Sequence, residues 1–303
     1  MAVRSLLHYA LEVPDQQVGQ RFYQDFGFAD ATGAANAVRL RPRTLAREQI
    51  LLFAGPKKRL HHLAFAAPGA DFAAVRERLR AAGVTEIDPP RDAPEGGLWV
   101  RDPDGQLVNI REEAPPAPPP DPPLRYNSPG HIVRVAERAL EPPVPDPAAP
   151  RRLGHVMLFT PDIERQKRFY LDLLGLKLSD QVPGLAAFLR CSADHHNLAL
   201  IKSDRPGFHH ASFEVGGLDE IALGAENMRE RGWEPAWGIG RHCVGSNFFW
   251  YIRDPWGSYA EYYFDMDYIP DDAAWQPRDW DLKYALMVWG PPPPPDFIAN
   301  KEA

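Results

Sequence analysis

One pattern is written twice in this chain, so a fold for it must consist of two like halves. In the second half, three strand-like segments, LGHVMLF, FHHASFEV and DPWGSYAEYY, place His155, His210 and Glu261 at matching points. In the first half the segments recur as LLHYALEV, LHHLAFAA and DPDGQLVNIR, with His8, His62 and Asn109 at those points. Other pairs keep the order: Pro14 with Pro161, Arg21-Phe22-Tyr23 with Arg168-Phe169-Tyr170, and Asp102-Pro103 with Asp254-Pro255. An ordered series over some hundred residues marks a duplication rather than a coincidence. Each copy reads strand, helix, strands, helix, strands, which predicts an α+β fold.

Proline use sets the boundaries. Of 33 prolines, 13 fall between Glu113 and Pro150, where neither helix interior nor central strand can hold them. The expected division is a first domain over 1–112, a stiff proline-rich linker over 113–150, a second domain over 151–270 and a tail over 271–303. A short structured piece is expected within the linker at His131–Leu140. The tail carries Trp275, Trp280, Trp289 and the run Pro291–Pro295; tryptophans are costly to expose, so it should fold back on the second domain or meet a neighbouring subunit.

Net charge of −7 disfavours a nucleic-acid partner, which wants a basic face. No apolar run approaches a membrane span, and the first residues lack the apolar core of a leader. With two cysteines, Cys191 and Cys243, a disulfide framework is not expected and a cytoplasmic location is.

Local signals place the helices. Thr160 reads as an N-cap with Pro161 at the first helical position, and the helix buries Phe169, Tyr170, Leu173 and Leu174 before Gly175 stops it. Second helices are predicted over Asp71–Gly83 and Asp219–Gly232. Asp102–Gly105 and Asp254–Gly257 are tight turns between strands.

The chemistry sits on the repeated strands. A lone strand histidine is usually a hydrogen-bonded core residue. Two histidines and a carboxylate on three strands are the set that holds a divalent ion facially with positions left open. Strand alternation puts His209, Ala211 and Phe213 on the helix-packed face and His210, Ser212 and Glu214 on a polar face, so His210 is the ligand of choice. His155, His210 and Glu261, without cysteine, suit Fe(II) or Mn(II), and zinc less. Asn109 breaks the first set, which should hold no tightly bound ion; its histidines would bond neighbouring backbone. On sequence alone, Tyr251 in FFWYIR also reads as a packed strand aromatic, His195-His196 as a solvated turn, and His242 as a surface residue.

At these residues the chain resembles the two-domain extradiol ring-cleaving dioxygenases of the vicinal oxygen chelate superfamily. The stretch GRHCVGSNFFWYIRDPWGSYAEYY, Gly240–Tyr263, is similar to their signature of histidine, tyrosine, Asp-Pro, Gly and ligand glutamate, here His242, Tyr251, Asp254-Pro255, Gly257 and Glu261. HHNLAL, 195–200, resembles the segment with their acid–base histidine, here His196. The resemblance implies paired βαβββ modules forming a cup-shaped barrel in each domain, with Fe(II), or alternatively Mn(II), on His155, His210 and Glu261 of the second. It implies a catecholic substrate and O2 as partners, His196 as proton donor beside the oxygen site, Tyr251 bonding a substrate oxygen and His242 supporting it. The runner-up is a non-redox, glyoxalase-like isomerase, which would recruit a further carboxylate. A homo-oligomer is the expected assembly.

Overall fold

A computed structural model describes residues 1–33, 36–91, 93, 96–119 and 148–302. The first half runs β1 (Ser5–Val13), α1 (Gln16–Phe26), β2 (Phe28–Asp30), β3 (Ala37–Pro42), β4 (Ile50–Ala54), β5 (Arg59–Ala66), α2 (Gly69–Ala81), β6 (Leu98–Arg101) and β7 (Leu107–Arg111). The second repeats it: β8 (Arg152–Thr160), α3 (Ile163–Arg168) with a π-helical continuation over Phe169–Leu174, β9 (Lys177–Val182), β10 (Ala186–Arg190), β11 (Leu198–Lys202), β12 (Gly207–Glu214), α4 (Leu218–Glu230), β13 (Pro235–Arg241), β14 (Phe248–Arg253) and β15 (Tyr259–Phe264). The tail adds β16 (Arg278–Asp279) and α5 (Leu282–Ala285).

The protein is α+β, with two sheets of like order. The first is β2-β3-β4-β1-β5-β7-β6 and the second β13-β14-β15-β12-β8-β11-β10-β9-β16. Among the described residues the first has no counterpart of β13. The equivalent stretch makes only an isolated bridge, Ile87 to Trp99, because Pro89 and Pro90 follow and have no N–H to extend a ladder. At the other end of the second sheet, tail strand β16 pairs with β9 and covers an otherwise open edge. The expected piece at His131–Leu140 lies outside the described residues.

Two local expectations change. The cap of α3 is Asp162, whose side chain accepts from Arg165 N–H, while Thr160 Oγ1 accepts from Asp162 N–H. The helix therefore starts at Ile163, two residues beyond Pro161. Gly175, at φ 80°, ends the π-helical stretch as a left-handed stop. Alternation along β12 is also broken. A bulge between Phe208 and His210 puts Phe208 with Ala211 and Phe213 in the helix-facing core. His209 is displaced from that core and packs on Phe159, Tyr259 and Phe297. His210 still faces the opposite side, as expected.

The halves share one core. Phe26 of α1 stacks on Tyr262 of β15 with ring centroids 3.7 Å apart, and Tyr9 stacks on Phe208 at 5.3 Å. Tyr262 O–H donates to the Phe26 carbonyl, and Trp233 Nε1–H to Asp25. Phe26→Ala should destabilise the whole protein by about 3–5 kcal/mol. Denaturant unfolding, followed through the tryptophans of the second half, should register that loss.

Candidate metal centre and its cavity

The triad sits on three adjacent central strands. His155 of β8 and Glu261 of β15 both pair with Ser212 of β12, and His210 lies two residues earlier on β12. A two-residue step returns to the same face, so the three side chains converge. His155 Nε2 is 3.1 Å from His210 Nε2, and Glu261 Oε2 is 3.4 Å from the first and 3.5 Å from the second. Atoms about 2.1 Å from one divalent ion, in neighbouring coordination positions, stand about 3 Å apart. All three residues are buried, and neither Glu261 Oε2 nor His155 Nδ1 has a hydrogen-bond partner among the described residues. A buried carboxylate oxygen facing two imidazole nitrogens suits a cation at their centre. Burial alone would raise the Glu261 carboxyl; the imidazoles around it, His155 foremost, outweigh that and hold it well below its ordinary range. Burial pushes His210 down, favouring the neutral ring a metal needs.

The first half keeps the register and has an amide where the second has a carboxylate. His8 and Asn109 both pair with Ala64, and Trp99 pairs with Asn109 as Tyr251 does with Glu261. Asn109 turns its amide to the Gly96 and Leu98 carbonyls, at 3.2 and 3.4 Å. The sequence suggested that the histidines bond backbone; among the described residues they bond other histidines instead. His8 Nε2 and His62 Nε2 bond each other at 2.9 Å, and Trp99 packs edge-on against His62. His62 Nδ1 lies 2.7 Å from His61 Nδ1, and His8 Nδ1 has no hydrogen-bond partner among the described residues.

Around the second triad lies a cavity of 480 Å³, walled by residues from β8 to β12 and β14. One cavity bounded by six strands shows that the sheet is cupped. His196, Tyr251 and His242 all line it. The His196 ring is 4.2 Å from that of His155, and Tyr251 and His242 bond through oxygen and Nε2 at 3.0 Å. Burial and the Glu261 charge push the Tyr251 phenol up, so it is a neutral hydroxyl. All six residues picked from the sequence are thus assembled at one place.

Some wall residues were not anticipated. Asn247 lines the cavity and its Nδ2 lies 3.4 Å from Glu261 Oε1; nothing in GSNFFW marked it. The tail closes the far side with Leu282, Leu286, Pro293, Pro294, Pro295, Phe297 and Ile298. Two of its three tryptophans fold back, with Trp275 Nε1–H donating to the Ser179 carbonyl and Trp280 Nε1–H to Asp180, while Trp289 stays exposed.

Comparison with known proteins gives the family. The model of the Glyoxalase/Bleomycin resistance protein/Dioxygenase superfamily matches residues 5–110 and again 152–262. The chain belongs to this superfamily. Metapyrocatechase 2 of Cupriavidus necator is 41% identical over all of this chain and 93% of its own length. The iron-dependent extradiol dioxygenase of Rhodococcus jostii is 24% identical over 96% of this chain and 97% of its own. Among solved structures, the Mn(II)-bound glyoxalase from Novosphingobium aromaticivorans shares the fold, with a TM-score of 0.80, 23% identity, and coverage of 97% of this chain and 93% of its own. The two family matches coincide with the two sheets, so the superfamily's repeated module is the unit that the sequence writes twice.

Proposed function

We propose that this superfamily member is an extradiol ring-cleaving dioxygenase. It opens a catechol-type ring with O2, placing both oxygen atoms in the ring-opened product. His155, His210 and Glu261 hold Fe(II), for which Mn(II) can serve, within residues 151–270; residues 1–112 act as scaffold. The observation that carries this is the convergence of His155 and His210, each backed by Glu261, with His196, Tyr251 and His242 on one apolar cavity of aromatic dimensions. The relatives named for extradiol and catechol chemistry support it.

When bound, the metal supplies open positions for the two diol oxygens and O2, and electronic coupling between them. The chain supplies the rest. Tyr251 O–H bonds His242 and leaves its oxygen lone pairs to take a hydrogen bond from a substrate hydroxyl. His196 lies on the opposite side, next to His155, where it can accept a proton and return it as the ring opens. Flat apolar walls, among them Phe188 and Phe297, exclude water and fit an aromatic ring. A glyoxalase-like reaction is less well served, since the converging group among the described residues has three members and no second carboxylate.

The lining contains no Lys, Arg, Asp or Glu among the described residues. A carboxylated side chain on the ring would be buried there without a partner, which is unfavourable. The substrate is therefore a catechol that is unsubstituted or carries an alkyl or aryl group. The test is oxygen uptake by the Fe(II)-loaded enzyme with catechol, 4-methylcatechol, 2,3-dihydroxybiphenyl and 3,4-dihydroxyphenylacetate. A yellow product and one O2 per ring are expected with one or more of the first three, and kcat/KM lower by about 10-fold or more with the acid. Bound metal without oxygen uptake on any of them would overturn the proposal.

A further inference from the structure

The reading above leaves His209 without a task, and it leaves two tail carbonyls that point at histidines of the site. His209 is buried beside His210 among the rings of Phe159, Tyr259 and Phe297. Its Nε2 lies 2.8 Å from the Phe297 carbonyl oxygen, and its Nδ1 lies 2.6 Å from His210 Nδ1. A carbonyl oxygen has no proton to give, so His209 Nε2 carries the hydrogen. A neutral imidazole has only one, so His209 Nδ1 is bare and must accept. The donor to it is His210 Nδ1–H. That leaves His210 Nε2 bare, and this is the atom 3.1 Å from His155 Nε2 and 3.5 Å from Glu261 Oε2. In the other tautomer of His210, a proton would sit where a metal must bind.

We infer that His209 is a positioning residue, and that the docked tail, through the Phe297 carbonyl, sets the tautomer in which His210 can ligate metal. The proposed function enters only by taking His210 as a ligand. The same arrangement recurs at His242. Its Nδ1 lies 2.7 Å from the Leu286 carbonyl, which leaves Nε2 to accept from Tyr251 O–H at 3.0 Å. The tail is pinned for this purpose at its far end. Glu302 lies 3.2 Å from Lys58 Nζ and accepts from Leu60 N–H at 3.0 Å, and Arg205 bonds the carbonyls of Asn300 and Glu302. Because Lys58 and Leu60 belong to the first half, both halves hold the clamp. Hydrogen-bond partners that orient a ligand histidine are worth about 10–100-fold in metal affinity.

Metal affinity itself is the readout. The Mn(II)-loaded enzyme is titrated with a competing chelator without substrate, and metal per chain is measured by elemental analysis, with near-UV circular dichroism as the check on folding. His209→Phe removes donor and acceptor together, and affinity should fall about 10–100-fold. His209→Gln keeps an acceptor for His210 and a donor for Phe297, and should restore most of it. A chain ending at Asp296 keeps His209 but loses the Phe297 carbonyl together with its ring and the Glu302 clamp; with its near-UV spectrum kept, it should lose affinity by a similar factor, and by no more when combined with His209→Phe. Wild-type affinity in the Phe variant or in the shortened chain overturns the inference. So do equal losses in the Phe and Gln variants, which would indicate packing alone, or shortening that costs as much again in the Phe background. If the Phe variant fails to fold, the Gln variant and the shortened chain decide. Intact metal binding without oxygen uptake would sink the dioxygenase proposal and leave this inference standing.

Discussion

A Glu261→Gln protein is expected to fold and to lose its metal. Glutamine matches glutamate in volume at the centre of β15, so packing is kept and a buried charge is removed. What disappears is the anionic atom that His155 and His210 share at 3.4 and 3.5 Å. The first half shows what an amide does at this rung: Asn109 gives its N–H groups to the backbone carbonyls of Gly96 and Leu98. Partners outside the ligand set are worth about 10–100-fold in metal affinity, and a ligand should exceed that. After dialysis, metal per chain should approach zero and oxygen uptake should fall with it, while the thermal midpoint is kept. Asn109→Ala in the same assay should leave turnover unchanged. A Gln variant that retains stoichiometric metal would show that the triad is not the site.

The second large effect is expected at His196. The residue is buried in the cavity wall beside His155, and its backbone-adjacent neighbour His195 is held by Asp180 through Nε2 at 3.2 Å. Phenylalanine fills the same space without a proton to exchange. General acid–base groups contribute about 10²–10⁴-fold, so kcat of His196→Phe should fall within that range. The proposed function has the diol held elsewhere, at the triad and Tyr251, so KM should change little and anaerobic substrate binding should persist. This split between kcat and KM separates a proton carrier from a binding residue. Unaltered kcat would remove His196 from the mechanism.

The repeat made the two-sheet architecture and the site residues legible, because equivalent strands bring equivalent positions onto the same rung. His155, His210 and Glu261 could be chosen without coordinates for that reason. Alternation alone picked the β12 histidine that converges with His155 and Glu261, but the bulge at His209 was invisible to it, and the residue in the helix-facing core is Phe208. Bulges depend on what the neighbouring strand requires, and a single segment does not record that. Asp162 displaced Thr160 as cap since either side chain can accept an N–H, and only the path around Pro161 decides between them. The bond between His8 and His62 needed both strands in place. The tail was least legible. Prolines and tryptophans suggested that it packs, but the hydrogen bonds it makes to the site's histidines come from the Leu286 and Phe297 carbonyls, which every residue has.

The stack of Phe26 on Tyr262 has a consequence for how this chain can change over generations. A half with an amide where the other has a carboxylate would be expected to drift, yet its helix α1 is a wall of the other half's core. Freedom to vary then divides between faces of one sheet rather than between halves. Around His8, His62 and Asn109 the constraint is only to fill space and pair polar atoms. Across the sheet, Tyr9, Phe22 and Phe26 remain answerable to a reaction in which none of them takes part.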